Sequence, residues 1–185
     1  MATIPADDIK KYYIEKMGER LGGVHHTLIQ EVLLLYRQWD AFDELYGKSS
    51  SRIDLLNKSA PVFFNLVQNT LRRDIIMYIA RLTDHANTNG KGNLTIQALP
   101  DLVDNAGLRE CVNGLVKDAV QKTEFARKWR NKRIAHLDLS HALQEQTTPL
   151  EPATLENIRI ALESIATVLN AINEHYTNPV FLFAH

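Results

Sequence analysis

Four long stretches of this chain repeat apolar residues at spacings of three and four, and none alternates apolar with polar residues between hairpin turns. That period belongs to a helix that buries one face. The first stretch, residues 25–46, places Leu28, Val32, Leu35, Trp39, Phe42 and Tyr46 on a stripe. The second, residues 60–82, does so with Phe63, Leu66, Val67, Leu71, Ile75, Ile79 and Leu82. The third, residues 108–129, lines Val112, Leu115, Ala119, Thr123 and Ala126 on one side, flanked by Val116, Phe125 and Trp129. The fourth restarts after Pro149 and Pro152 and carries Leu155, Ile158, Leu162, Ile165, Val168, Leu169 and Ile172. With no βαβ rhythm and no fixed repeat, the pattern predicts an all-α fold: an antiparallel four-helix bundle with short accessory helices. A single helical domain is expected over residues 1–185, with its core at about 21–176.

Residues 7–17 read as a short helix, and Gly18, Gly22 and Gly23 are expected to loosen the chain behind it. Residues 51–58 give one or two turns capped by a serine, and Pro61 suits a first helical turn. Residues 83–93 are expected to be a flexible turn. The Gly90-Lys91-Gly92 within it lacks the strand and glycine frame of a phosphate loop. Residues 94–105 read as a shorter helix capped by Thr95, with Leu99, Leu102 and Val103 buried and Pro100 in its first turn. The apolar tail, residues 179–185, is expected to fold back onto the bundle or onto a second subunit.

At 45% apolar and 23% charged residues, the composition is that of an ordinary globular protein. The first eight residues have neither a basic start nor an apolar core, so no signal peptide is expected there. No apolar run approaches the ~20 residues of a membrane span. Cys111 is the one cysteine, which excludes an intrachain disulfide and suits a reducing compartment. A cytoplasmic protein without membrane contact is expected.

A net charge of −1 excludes coating nucleic acid by bulk attraction. The basic residues are uneven, however. Lys117, Lys122, Arg127, Lys128, Arg130, Lys132 and Arg133 crowd one segment, opposed there by Asp118 and Glu124. A local patch of that kind holds a few phosphates, although a charge run is also what a solvated helix face looks like.

Arg130, Asn131 and His136 sit within this segment. RNA is cut without a metal when its 2′-hydroxyl attacks the adjacent phosphorus. The reaction needs a base near neutral pH, and histidine has an ordinary pKa of ~6.5. It also needs a fixed cation for the phosphoryl oxygens, and arginine offers a planar fork that stays charged. Arg130 and His136 would fill these roles. Asn131 would orient the histidine or a phosphate, and Lys132 and Arg133 would hold flanking phosphates. On a continuous α-helix a six-residue step separates Arg130 and His136 by ~120°. Either the helix breaks within residues 131–135, or the working site combines motifs from two subunits. The second option needs a dimer, and two-fold dimers are the commonest assembly.

Arg130-Asn-Lys-Arg-Ile-Ala-His136 resembles the Arg-x4–6-His motif of the HEPN superfamily, with a polar residue after the arginine. Two further stretches, Ala80-Arg-Leu-Thr-Asp84 and Asn93-Leu-Thr-Ile96, resemble the abortive-infection, AbiU-like branch. The similarity spans roughly residues 28–172. It implies a helical bundle, usually a homodimer, with Arg130 and His136 facing a cleft. It also implies metal-independent endoribonuclease activity in phage defence or a toxin–antitoxin system, with RNA as substrate and an antitoxin or regulatory protein as partner. Arg130, His136 and Asn131 would be catalytic, and Arg127, Lys128, Trp129, Lys132 and Arg133 would bind RNA. No cofactor and no metal are implied.

Other readings compete. The basic stretch also suits a non-catalytic module that binds RNA, a nucleotide or a protein. His25, His26, His85, His136, His141 and His175 are available to a metal, but the paired Glu-x-x-His pattern of di-iron bundles is missing. The other histidines read as surface or capping residues, and Cys111, beside Val112 and Leu115, as a buried core thiol. Trp39, Phe63 and Trp129 read as core residues, with base stacking open to Trp129 because it adjoins the basic patch.

Overall fold

The computed structural model describes residues 6–134, 150 and 152–177. The fold is all-α. The helices are α1 (Ala6–Met17), α2 (Glu19–Tyr46), α3 (Ser50–Ser59), α4 (Pro61–Leu82), α5 (Ala106–Lys122), α6 (Glu124–Trp129) and α7 (Leu155–Tyr176). Two antiparallel contacts set the frame. Glu31, Gln38 and Tyr46 of α2 meet Arg81, Asp74 and Phe64 of α4 in turn. His25 of α2 meets Leu169 of α7, while Phe42 and Tyr46 share a cavity wall with Leu155 and Ile158. α4 and α7 therefore both run opposite to α2, and α5 packs along α7. The core between them holds Leu28, Val32 and Leu35, Ile75 and Ile79, Val112 and Ala119, and Ile158, Leu162, Ile165, Val168, Leu169 and Ile172, all positions on the expected stripes.

The helix ends follow local chemistry. Ser49, Asn105 and Thr154 each accept a hydrogen bond from a backbone N–H of the first turn, at 3.4, 2.9 and 3.1 Å. Pro61 stands at the start of α4, where its missing N–H breaks no helical bond.

Several expectations are corrected. Gly22 and Gly23 do not loosen the chain but lie within α2. A Cβ on Gly22 would fall 2.4 Å from the carbonyl oxygen of Tyr13, so this glycine lets α1 pack directly on α2. Gly18, at φ 81°, makes the reversal between the two helices. The apolar stripe of α4 is buried only in its second half. Phe63 and Leu66 are exposed because the first turns of α4 lie beside α3, which has no buried residue of its own. The third long helix is interrupted at Thr123, which is buried and donates to the Ala119 carbonyl at 2.7 Å.

Residues 94–105 form two short 3-10 turns, Ile96–Ala98 and Pro100–Leu102, rather than one helix. The expected flexible turn contains a small antiparallel ladder, Asn87–Thr88 with Lys91–Gly92. Asn89 and Gly90 at its tip have φ of 52° and 79°, the left-handed pair of a tight hairpin turn. Cys111 is exposed rather than buried, because it lies off the Val112–Val116 face. His25 and His26 are buried rather than at the surface, covered by α1 through Tyr13.

Candidate active site and nucleic-acid interface

The C-terminal end of α4 and the segment α6 plus Arg130–Ile134 lie against each other. Arg130–Ile134 is not α-helical but a π turn, a wider coil whose bonds close five residues on. Departure from α geometry thus begins at Arg130, and the ~120° separation of a continuous α-helix does not carry across this segment. His136 lies outside the described residues.

Arg130 is held on two sides. Its Nε donates to Asn131 Oδ1 at 3.0 Å, and its Nη1 forms a short ion pair with Asp84 Oδ2. The Arg130 side chain keeps 19% of its surface exposed and that of Asp84 28%, so the pair sits at a rim. Guanidinium has five N–H donors, and two of Arg130's are engaged by these groups. The rest leave it able to receive an anion.

Asp84 is positioned by a braced loop. Thr95 Oγ1 lies 2.9 Å from the Leu82 carbonyl and 2.8 Å from that of Asp84, so its one proton is shared between them. Asn93 Nδ2 donates to the His85 carbonyl and to Thr88 Oγ1, both at 2.8 Å. Gln97 Nε2 donates to the Thr83 carbonyl at 2.8 Å. The residues singled out in the two short stretches, Thr83 with Asp84 and Asn93 with Thr95, are thus one hydrogen-bonded unit that presents Asp84 to Arg130. Asp84 was missed as a site residue in the sequence. Its signal was the Leu-Thr-Asp triplet ending a helix.

Arg127 points inward. Its Nη1 reaches Thr83 Oγ1 and Thr123 Oγ1, each at 2.9 Å, and its Nη2 reaches the Val120 carbonyl at 2.5 Å. Burial pulls its pKa below the ordinary arginine value, opposed by nearby Asp84 and Glu124. It ties the Thr123 interruption to the end of α4. Lys128 is exposed and paired with Glu124 at 3.0 Å. Asn131 is exposed and Lys132 half-buried. Trp129 is half-buried, with the guanidinium carbons of Arg72 and Arg133 at 5.5 and 5.3 Å from its ring centroid. The structure therefore gathers Arg130 and Asn131 with Asp84, and Trp129 and Arg133 with Arg72, while Arg127 lies behind both groups. No group of three or more His, Cys, Asp or Glu that could hold a metal ion occurs among the described residues. No helix of the described residues is long and apolar enough to cross a membrane.

An all-helical fold that carries an arginine, its asparagine neighbour and a histidine six residues on has the make-up of a HEPN domain. A family model for the AbiU2 type of that domain matches residues 19–183, and the chain belongs to that family. Neither the curated proteins nor the solved structures gave a significant match.

Proposed function

We propose that this AbiU2-type HEPN domain is a metal-independent endoribonuclease of a phage-defence or toxin–antitoxin system. The observation that carries the reading is the state of Arg130: its guanidinium is fixed by Asp84 and Asn131 yet retains donors at the rim. A cation held in advance of the reaction stabilises developing phosphoryl charge without reorganising. In the proposed step His136 takes the proton of the 2′-hydroxyl, whose oxygen bonds to phosphorus as the bond to the 5′-oxygen breaks. The products are a 2′,3′-cyclic phosphate and a 5′-hydroxyl, the leaving oxygen taking up a proton. Asn131 keeps the arginine fork in plane, and Lys128, Lys132 and Arg133 attract flanking phosphates.

A homodimer is part of this reading. Leu55, Val62, Phe63 and Leu66, between 58% and 83% exposed, gather where α3 meets α4 and supply an apolar face for a second copy.

The same ion pair also suits a second reading, a non-catalytic module that binds RNA, a nucleotide or a protein, because a purely structural arginine is paired in this way. Cleavage of mixed single-stranded and structured RNA in excess EDTA separates the two. The native protein should give cyclic-phosphate ends, and Arg130→Ala and His136→Ala should each lower the rate by about 100-fold or more. Equal cleavage by all three proteins would point to another site or a contaminant. No cleavage by any would favour the binding module.

A further inference from the structure

The proposed cleavage moves two protons. His136 takes one from the 2′-hydroxyl, and the departing 5′-oxygen needs another, because an alkoxide leaves poorly at neutral pH. The attacking and departing oxygens lie roughly in line through the phosphorus. The proton donor therefore stands across the phosphate from the base, a place that a different element serves best. His85 comes from such an element. It follows Asp84 in the loop after α4, and that loop meets the α6 side of the rim through the Arg130–Asp84 pair. One carboxylate joins the two sides. Asp84 Oδ2 pairs with Arg130 Nη1, while Asp84 Oδ1 accepts from the His85 backbone N–H at 3.1 Å. Two hydrogen bonds through one carboxylate place the His85 backbone nitrogen within ~8 Å of the Arg130 guanidinium. From there an imidazole has the length to reach a phosphate held on the remaining donors of Arg130.

The loop fixes His85 by its main chain. Its N–H goes to Asp84, and its carbonyl accepts from Asn93 Nδ2 at 2.8 Å. The same Asn93 amide is anchored on Thr88 Oγ1, also at 2.8 Å. The residue is nevertheless exposed. A backbone tied at both ends with the ring in solvent suits a group that must stay in place and still exchange protons with water. Histidine is the side chain that gives and takes protons near neutral pH.

We infer that His85 is the general acid of the reaction, the catalytic residue that protonates the leaving 5′-oxygen. The inference rests on the proposed RNA-cleaving function. As His136 takes the 2′-hydroxyl proton, the 2′-oxygen bonds to phosphorus and the bond from phosphorus to the 5′-oxygen breaks. The electron pair of that bond takes the proton of the His85 imidazolium. His85 ends neutral and His136 charged, and exchange with water restores both.

The test changes the leaving group alone. The linkage that the native protein cuts in a short single-stranded RNA is first mapped in excess EDTA. It is then remade with sulfur in place of the 5′-bridging oxygen. A thiol is far more acidic than an alcohol, so the sulfur departs without an acid's help. His85→Ala should slow cleavage of the oxygen linkage about 100-fold and that of the sulfur linkage no more than about threefold. His85→Gln, which keeps a polar side chain but offers no acidic proton, should behave the same way. His136→Ala should slow both linkages, because the attack on phosphorus is the same in each. Both His85 variants should melt as the native protein does, since the loop is braced by the main chain of His85. Native rates on the oxygen linkage in both variants would overturn the inference and leave the nuclease reading standing. Equal losses on the two linkages would make His85 a phosphate-holding or positioning group and would also overturn it, as would loss of the fold in both variants. A native protein that cuts neither linkage would overturn the inference together with the nuclease reading.

Discussion

Replacing His25 with glutamine tests whether the buried histidines beneath α1 set the pH range of the fold. His25 is fully buried, with Nε2 3.1 Å from the Leu169 carbonyl and Nδ1 without a hydrogen-bond partner. The neutral ring therefore donates from Nε2, and a second proton would place a charge where nothing receives it. Burial lowers its pKa from 6.5 to about 4, against the opposing effect of the Leu169 bond. In the unfolded chain His25 titrates near ~6.5. Between that value and about 4 the unfolded state binds a proton that the folded state refuses. The stability is present above the unfolded pKa and is lost as pH falls towards the folded one. The whole gap is worth about 3 kcal/mol, of which about 2 kcal/mol is gone by about pH 5. For a domain of this size that is a fall of ~4–8 °C in Tm. Melts followed by far-UV circular dichroism at about pH 7.5 and about pH 5 read this directly. Glutamine donates to the Leu169 carbonyl but does not titrate, so His25→Gln should lose less Tm on acidification by that amount. His26, also lowered chiefly by burial and then by Lys10, should flatten the response further when replaced as well. An equal fall in the native protein and in His25→Gln would refute the reasoning.

Four further outcomes are expected. Gly22→Ala should lower stability by about 1–3 kcal/mol, because its Cβ would strike the Tyr13 backbone. Gly23→Ala, with open space around it, should raise stability by up to about 1 kcal/mol; urea titration reads both. Arg127→Met should lose about 2–4 kcal/mol, since it leaves the Thr83–Thr123 tie unmade, and a salt slope of RNA binding matching the native one would mark it as a strut. Asp84→Asn should reduce RNA cleavage in EDTA about tenfold through looser placement of Arg130 while sparing most stability, as the pair is partly exposed.

The helices were legible because burial repeats every three or four residues whatever the neighbours. The errors arose where burial depends on what another element supplies. Phe63 and Leu66 have the right spacing, but α3 offers them no core. His25 and His26 look polar in sequence, and only the close approach of α1 at Gly22 buries them. Cys111 is one position off the buried face, a difference that spacing alone left ambiguous. The Asn89-Gly90 pair was a readable hairpin signal that loop composition masked. At the site, Arg130 and Asn131 were visible as a motif, while Arg127 looked like another surface cation. Its inward turn depends on Thr83 and Thr123, 44 and 4 residues away in the chain.

That division of labour among neighbouring arginines explains how a chain with a net charge of −1 concentrates cations at one place. Arg127 faces inward and joins the α5–α6 interruption to the end of α4, fixing the helix from which the others project. Arg130, three residues on, meets Asp84, whose position depends on Thr95 and the hairpin loop. Arg133, three further, reaches back over Trp129 towards Arg72. On a regular α-helix such a series would drift around the axis by ~60° at each step. The π turn from Arg130 turns the chain less per residue, so the step between the second and third members differs from that of an α-helix. Closing the turn into regular α-helix would leave each residue in place in the sequence but rotate Arg133 relative to Arg130. The relative placement of the two guanidinium groups would then be lost, although every charge remained.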